Sequence, residues 1–358
     1  MTTQPTHLRS YLLRAGAALA CLSLAACRGG VQSVIDPTGP QAERISKLWW
    51  LFFYVCTAVF VLVLVALALA LRRTRQWWRD ETVSARDVTE LPMLNPAPEG
   101  ERRMTNVIIG AVAATGVILF VFLIASFSTG RALSARLAEQ NAVTIEVTGQ
   151  QWWWQVRYLD QNAPNIFTTA NEIHIPVGLP VTLKLQSVDV NHSFWVPNLS
   201  GKKDLIPGKQ TIMWLQADRA GLYRGQCAEY CGLQHAHMAL YVVAEPVEQF
   251  NAWLAAQRAA AAQPTSEQQQ RGQQVFLHAP CIMCHTIRGT PAGASLGPDL
   301  THIASRQTIA AGTLPNTRGH LSGWVVDAQG IKPGTRMPAN NLSAEDLQAL
   351  LDYLQSLK

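Results

Sequence analysis

Twelve consecutive residues near the middle of the chain contain an unusual number of soft metal ligands. The run "CAEYCGLQHAHM" begins at Cys227, has a second thiol at Cys231 and ends with His235, His237 and Met238. A disulfide between the two cysteines is the first alternative for an exported protein, but it leaves the histidine and the thioether unexplained. Zinc has little use for a thioether, whereas thiolate, imidazole and thioether together select copper. Two thiolates on one short loop can bridge two ions, so the run predicts a binuclear copper centre.

A second set of ligands lies near the C-terminus. The segment "CIMCH" has the CxxCH pattern of covalent haem c, with thioether bonds at Cys281 and Cys284 and His285 as the proximal iron ligand. The later segment "KPGTRMPAN" offers Met337 as the sixth ligand. A thioether in that position raises the reduction potential of the iron, which suits an electron relay.

The residues around CxxCH favour haem over a simple redox pair. Pro298 in "GPDL" resembles the residue of class I cytochromes c whose carbonyl orients the proximal histidine. His302 and His320 are competing axial ligands. Met337 is preferred because it lies in a segment flanked by Gly334 and Pro338, as expected for the sixth ligand. The final segment "SAEDLQALLDYLQSLK" predicts an amphipathic helix with Ser343 as its N-cap.

Composition and hydropathy indicate that a membrane anchor precedes these ligand sets in the chain. The chain has 358 residues, 48% apolar and 15% charged, with a net charge of +5 and no single basic face, which argues against nucleic-acid binding. Two apolar stretches, at about 48–71 and 107–127, are each long enough to cross a bilayer. The loop between them carries arginines near both ends, which predicts a cytoplasmic loop. Neither stretch contains the histidines that an oxygen-reducing centre would need.

The N-terminus predicts export. Arg9 and Arg14 precede an apolar run that ends in "LAAC", where Cys27 stands in the position of the lipidated cysteine of bacterial lipoproteins. We therefore expect residues 1–27 to be a lipoprotein-type signal peptide; an ordinary secretory signal with an incidental cysteine is the alternative. A chain that starts outside and crosses twice ends outside, so everything after about residue 128 is expected on the periplasmic side of the bacterial cytoplasmic membrane.

The exported part divides into two units joined by a linker. Period-two alternation, as at Ile145 and Val147, predicts a small antiparallel barrel or sandwich within residues 128–250. The Ala- and Gln-rich residues 251–270 predict a linker, and residues 271–358 a helical domain. The outward position of His174 in one of these strands predicts an exposed side chain.

The copper segment resembles a known family. Together with "VNHSFWVPNL", it is similar to the copper A domain of cytochrome c oxidase subunit II, a cupredoxin-type barrel preceded by a two-helix hairpin. The resemblance covers residues 45 to about 245. It implies that Cys227 and Cys231 bridge both copper ions and that His192 and Met238 complete one of them.

The same resemblance implies further site residues. His235 and the backbone carbonyl of Glu229 complete the second copper, and the Glu229 carboxylate contributes to a Mg²⁺ site shared with the catalytic subunit. The aromatic stretch "GQQWWWQVRY" resembles the family segment in which an exposed tryptophan accepts the electron from cytochrome c, so Trp152, Trp153 and Trp154 are the candidates. Three consecutive indoles on a strand cannot all face one core, so at least one is expected at the surface or in a partner contact.

Glu101 is a less specific candidate. It lies four residues before Thr105, at the offset of the family glutamate found at the mouth of a proton path, but the proline that usually follows is missing. A carboxylate beside arginines at a helix start is ordinarily just solvated, so both interpretations stay open.

As a whole, the chain resembles subunit II of caa3-type cytochrome c oxidases. The expected architecture is a multi-domain membrane protein: a two-helix transmembrane hairpin, an all-β cupredoxin-like Greek-key barrel and an all-α class I cytochrome c domain. The implied cofactors are binuclear copper A, one haem c and a shared Mg²⁺. The implied partners are the haem–copper subunit I, other oxidase subunits, and cytochrome c or a quinol:cytochrome c reductase as donor. The alternatives are the copper A subunit of a nitric oxide reductase and a stand-alone membrane-anchored electron carrier.

Overall fold

The structure is a computed structural model that describes residues 30–80, 98–134 and 143–358. The expected signal peptide and its Cys27 lie outside the described residues. The chain divides into two compact units, one made of residues 44–135 and the other of the residues on either side of them.

The smaller unit is a helical hairpin. Helix α1 spans Pro40–Asp80 and helix α2 spans Pro98–Ser134, so both run past the apolar stretches predicted from hydropathy. The Arg44 guanidinium donates to the carbonyl of Ala132 at 2.9 Å, which brings the start of α1 to the end of α2. Apolar side chains along both helices are exposed, as expected for helices that face hydrocarbon. The chain is therefore membrane-anchored.

Ten strands follow residue 143 and build a β-sandwich. They are β1 (Thr144–Gln150), β2 (Trp153–Leu159), β3 (Phe167–Ala170), β4 (Glu172–Pro176), β5 (Val181–Ser187), β6 (His192–Trp195), β7 (Lys203–Leu205), β8 (Thr211–Leu215), β9 (Gly221–Cys227) and β10 (Ala239–Glu245). One sheet has the order β3-β2-β1-β5-β8 and the other β4-β10-β9-β6-β7. Ile145 and Val147 are fully buried between the sheets, as their alternation predicts.

The sheets are mixed, so the expectation of a purely antiparallel barrel or sandwich is wrong. β1 pairs in parallel with β5, and β4 in parallel with β10. Each parallel pair joins strands that are distant in the chain and needs a crossover between them. Alternating hydrophobicity indicates which face of a strand is buried but not the direction of the neighbouring strand. The sequence pattern therefore could not distinguish parallel from antiparallel pairing.

A helix follows the sandwich and covers one of its strands. Helix α3 spans Val247–Arg258, so it begins before the predicted linker and ends inside it. Its Phe250 is buried, and the ring of Trp253 stacks on His174 with centroids 4.0 Å apart. The His174 side chain is only 13% exposed and its Nδ1 lies 3.0 Å from the Glu245 carboxylate. The prediction of an exposed His174 is wrong because α3 covers that face of the sheet.

The C-terminal domain is helical, with one two-stranded ribbon. Its elements are α4 (Glu267–His278), β11 (Thr308–Ile309), β12 (Leu314–Pro315), α5 (Arg318–Val326), α6 (Ala328–Ile331) and α7 (Ala344–Ser356). The Ser343 hydroxyl caps α7 by accepting from the Asp346 N–H at 3.0 Å, as predicted. α4 crosses α7 at Gly272, where a Cβ would overlap the carbonyl of Ala349. The predicted sequence of architectures (apolar hairpin, cupredoxin-like β-domain and helical cytochrome domain) is confirmed.

Candidate copper centre and haem cavity

Two neighbouring strands position the thiol and imidazole groups of the predicted copper centre. His192 opens β6 and Cys227 ends β9, and these strands are paired in the same sheet. Met238 directly precedes β10, which pairs with β9 on its other side. The residues between Cys227 and Met238 form a loop, here called the copper loop (residues 227–238), which returns its ligands to the end of the same sheet.

All six predicted ligands meet at this end of the sandwich. Five distances define the cluster: Cys227 Sγ to Cys231 Sγ 3.8 Å, to His192 Nδ1 3.8 Å and to the Glu229 carbonyl oxygen 3.2 Å, and Cys231 Sγ to His235 Nδ1 3.6 Å and to Met238 Sδ 3.8 Å. The sulfur–sulfur distance is far beyond the roughly 2.05 Å of a disulfide bond, which removes the disulfide alternative.

The chemistry and burial of this cluster fit copper. Four of the predicted ligands are at most 2% exposed, namely His192, Cys227, Cys231 and Met238. Water therefore has little access to their ligand atoms. Thiolate, imidazole and thioether donors suit copper better than zinc. The Glu229 side chain is exposed, in contrast, and only its backbone carbonyl faces the cluster.

Before a metal binds, the electrostatics of the cluster favour ionisation of only one of the two thiols. The hydrogen bond from the Cys231 thiol, with help from His192, lowers the pKa of Cys227. The hydrogen bond with the Cys227 thiolate, followed by burial and the negative charge of that thiolate, raises the pKa of Cys231. Burial alone would lower the pKa of His192, but its contacts with Cys227 and Asp189 outweigh burial and raise it. A metal cation must therefore displace the second thiol proton.

Asp189 supports the cluster and was missed by the sequence analysis. Its Oδ1 lies 2.8 Å from Nε2 of His192, and its Oδ2 accepts from the Gln151 N–H at 2.7 Å. A carboxylate on the far nitrogen of a metal-binding histidine fixes the tautomer and orientation of the ring. The only signal in the sequence was an acidic residue three positions before a proposed ligand.

The second predicted ligand set lines a cavity of about 320 Å³ between the C-terminal domain and the β-sandwich. Cys281, Cys284, His285, Pro298 and Met337 all contribute to its wall. The Pro298 carbonyl lies 2.7 Å from His285 Nδ1, which leaves Nε2 for a metal. Burial lowers the pKa of His285, although the contact with Pro298 opposes the shift, and a neutral imidazole is the form that binds iron.

The two competing histidines do not line this cavity. The ring nitrogens of His302 lie 2.7 Å from the Lys358 carbonyl and 3.2 Å from the Ala259 carbonyl. His320 is exposed and its Nδ1 contacts the Thr317 hydroxyl at 2.8 Å. The geometry therefore favours Met337, and the apolar, largely enclosed wall fits a haem.

The three consecutive tryptophans lie in different environments. Trp154 is fully buried and its indole N–H faces the Met238 carbonyl at 3.4 Å. Trp152 is 8% exposed, and its indole donates to the Cys231 carbonyl at 3.0 Å. Trp152 and the half-buried Trp153 also line the haem cavity. The indole nearest the copper loop is thus covered by the C-terminal domain.

Among the residues that the structure describes, Glu101 has no partner that would define a proton path. It lies in the first turn of α2 with an exposed side chain. Its role in proton uptake stays a prediction.

Comparisons with known proteins find relatives of both domains. Residues 158–245 match the family model described as cytochrome c oxidase subunit II, periplasmic domain, and residues 269–358 match the one described as cytochrome c. The chain is 35% identical over 339 residues to cytochrome c oxidase subunit 2 of Alkalihalophilus pseudofirmus, with 94% of each chain covered. It is 26% identical over 365 residues to that of Bacillus subtilis, with 98% of each covered.

A solved structure also resembles part of the chain. The periplasmic domain of subunit II of cytochrome oxidase (CoxB) of Bradyrhizobium japonicum is 29% identical, covers 34% of this chain and 96% of that one, and has a TM-score of 0.31. Because the 35% identical relative covers nearly the whole chain and both domains have their own family match, the chain belongs to the cytochrome c oxidase subunit II family and carries a C-terminal cytochrome c domain.

Proposed function

We propose that this chain is the subunit through which electrons enter a caa3-type cytochrome c oxidase. Electrons would come from cytochrome c or a quinol:cytochrome c reductase and leave towards a haem–copper subunit that reduces dioxygen. The relatives named cytochrome c oxidase subunit 2, matched over at least 94% of the chain, support an oxidase over a nitric oxide reductase. The fused cytochrome c domain supports the caa3 type.

The cavity residues have distinct proposed roles. Cys281 and Cys284 would attach haem c covalently, and His285 and Met337 would bind its iron. The contact between Pro298 and His285 supports this assignment because it orients the ring. In the other site, the thiolates would bridge two copper ions, with His192, His235, Met238 and the Glu229 carbonyl as terminal ligands. When bound, these groups exchange single electrons without making or breaking bonds.

One observation carries the proposal: Trp152 touches both sites. Its indole N–H donates to the carbonyl of Cys231, a proposed bridging ligand, while its ring lines the haem cavity. It is 8% exposed, so this side chain is largely shielded from water. We propose Trp152 as the side chain through which the two sites are coupled, with Trp153 beside it.

The covering of Trp152 supports an order of transfer. The C-terminal domain lies over this indole, since a Cβ at Gly334 would come within 3.5 Å of its ring. A diffusing cytochrome cannot reach a surface that the same chain already covers. The donor would therefore deliver its electron to the haem domain, and the copper centre would receive it next.

Time-resolved photoreduction tests this order. A light pulse reduces haem c in the complete oxidase, and absorbance then follows the oxidation of haem c and the reduction of copper A. We expect the two changes to have the same rate constant. If soluble cytochrome c reduced copper A before haem c in a mixing experiment, the proposed order would be wrong.

The exposed Glu229 carboxylate supports a contact with a catalytic subunit. We propose that it binds a Mg²⁺ ion shared with that subunit. Metal analysis of the purified complex tests this: Glu229→Gln should lower the Mg²⁺ content, whereas unchanged Mg²⁺ would contradict it.

The membrane orientation is also a proposal. We place the chain in the bacterial cytoplasmic membrane with both cofactor domains on the periplasmic side, because arginines cluster near the end of α1 and the start of α2, on either side of the loop that joins them. Reporter fusions after residues 88 and 358 should behave as cytoplasmic and periplasmic, respectively. The opposite pattern would overturn this orientation.

A further inference from the structure

One lysine is buried where the haem domain meets the copper domain. Lys332 follows α6 and is 2% exposed. Its Nζ donates to the carbonyls of Trp152 at 2.7 Å, His237 at 2.7 Å and Ala310 at 3.2 Å. A buried ammonium is costly unless every N–H has an acceptor, and here three donors meet three acceptors.

The acceptors come from both domains. The Trp152 carbonyl belongs to the turn between β1 and β2, and the His237 carbonyl to the copper loop, whereas Ala310 belongs to the haem domain. Among the residues that the structure describes, no carboxylate forms an ion pair with Lys332. The contact therefore depends on backbone position, and it is complete only when the two domains are docked.

Neighbouring residues extend this contact along the same segment. The Gln234 side-chain amide in the copper loop donates to the Pro333 carbonyl at 2.8 Å. Gly334 faces the side chains of Leu233 and Trp152, where a Cβ would lie 3.4–3.5 Å from each. Residues 332–334 thus place the segment that leads to Met337 in direct contact with the copper loop.

We propose that Lys332 is a positioning residue that holds the haem cavity against Trp152 and the copper loop and thereby sets the rate of electron transfer between the two sites. This inference rests on the proposed function. In the transfer, haem c loses one electron and copper A gains it, and no bond or proton moves. The measured rate is proportional to the docked fraction of the haem domain. Loss of the three hydrogen bonds of Lys332 lowers the equilibrium constant for docking by about tenfold or more, and the rate falls with the docked population that is lost.

The test compares Lys332→Met with Lys209→Met in the complete oxidase. Lys209 is an exposed lysine of the copper domain, so its replacement controls for the loss of one positive charge. For Lys332→Met we expect normal haem c and copper A spectra but internal transfer that is slower by about severalfold after photoreduction of haem c. Oxygen consumption driven by a small photoreductant that reduces copper directly should stay unchanged, which a general structural defect would not allow.

A second readout does not depend on electron transfer. Hydrogen exchange of the copper-loop amides, residues 233–238, should be faster in Lys332→Met than in wild type or Lys209→Met, because the loop loses its cover. If Lys332→Met fails to assemble, Lys332→Gln, which keeps an amide donor, replaces it in both measurements.

The outcomes separate the two proposals. Internal transfer at the wild-type rate, with unchanged amide exchange, in the assembled variant would overturn the role of Lys332. Absence of transfer from haem c to copper A in the wild-type oxidase would instead overturn the proposed function.

Discussion

At the proposed copper centre, the side chains of the candidate ligands are held by their neighbours as well as by the backbone. His192 is fully buried, and its ring is fixed between Cys227 on one nitrogen and Asp189 on the other. Burial alone would raise the pKa of Asp189, but its hydrogen bonds to His192 and two backbone N–H groups outweigh burial and lower it. Asp189 is therefore ionised at neutral pH and keeps one orientation of the imidazole.

Replacing Asp189 tests this support. Asp189→Asn should weaken copper binding by about 10–100-fold, since the amide cannot accept from both His192 and the backbone as a carboxylate does. Copper titration of the purified chain measures it. Asp204→Asn, an exposed acidic residue of the same domain, is the control; equal affinities for all three proteins would show that Asp189 does not orient the ligand.

Replacing a thiol tests the copper assignment itself. Cys227→Ser should abolish the mixed-valence copper signal in EPR spectra while the haem c absorbance remains, because the haem ligands lie in a different domain. Cys56→Ser, in the exposed surface of α1, should change neither spectrum. A mixed-valence signal that persists in Cys227→Ser would rule out the bridging role.

At the scale of elements, paired strands and crossing helices decide where the ligands meet. The pairing of β6 with β9 brings His192 beside Cys227 although they are 35 residues apart. In the haem domain, the close crossing of α4 and α7 depends on Gly272 and connects the first and last helices of that domain. Small residues allow such close approach of two backbones.

The helix crossing can be tested with alanine. Gly272→Ala should destabilise the haem domain by about 1–3 kcal/mol because the added methyl overlaps the Ala349 carbonyl and Tyr353. Gly319→Ala in α5 is the matched control, since a Cβ there meets nothing within 4 Å and alanine favours helices. Thermal unfolding followed by haem absorbance compares them; equal melting temperatures would contradict the close crossing.

At the scale of the whole unit that contains both domains, the haem domain docks on the sandwich through buried polar contacts. Besides Lys332, Glu172 of β4 accepts from the N–H groups of Gln307 at 2.7 Å and Thr308 at 3.2 Å. Burial raises the pKa of Glu172, although the Thr308 N–H and the Arg306 charge oppose the shift, and His174 adds a smaller opposing contribution. Both docking contacts use backbone groups, so they require a defined arrangement of the two domains.

The raised pKa of Glu172 predicts that the free energy of unfolding depends on pH. Because its folded pKa exceeds its unfolded value, the folded chain binds the proton more tightly, and this stabilisation is lost as pH rises from the ordinary value through the raised one. The free energy of unfolding of wild type relative to Glu172→Gln should therefore fall as pH rises through that window. Denaturant unfolding of both proteins at several pH values measures the difference, and a difference that does not change with pH would refute the raised pKa.

Several features were determined by the sequence because they depend on local chemistry. The CxxCH pattern, the copper-loop spacing and the two apolar stretches all lie within short segments, where residue type and spacing directly limit the chemistry. The N-cap Ser343 and the inward residues Ile145 and Val147 follow in the same way from local hydrogen bonding and strand alternation.

Other features were decided only by the tertiary structure, because they depend on contacts between distant segments. The parallel pairs β1–β5 and β4–β10, the burial of His174 under α3 and the contact of Asp189 with His192 have no local signature strong enough to predict them. The strongest case is Lys332: a lysine normally predicts an exposed position, and its burial becomes favourable only when carbonyls from both domains surround it. The docking of the haem domain over Trp152 is likewise a property of the folded chain, since it requires surfaces that exist only after both domains have formed.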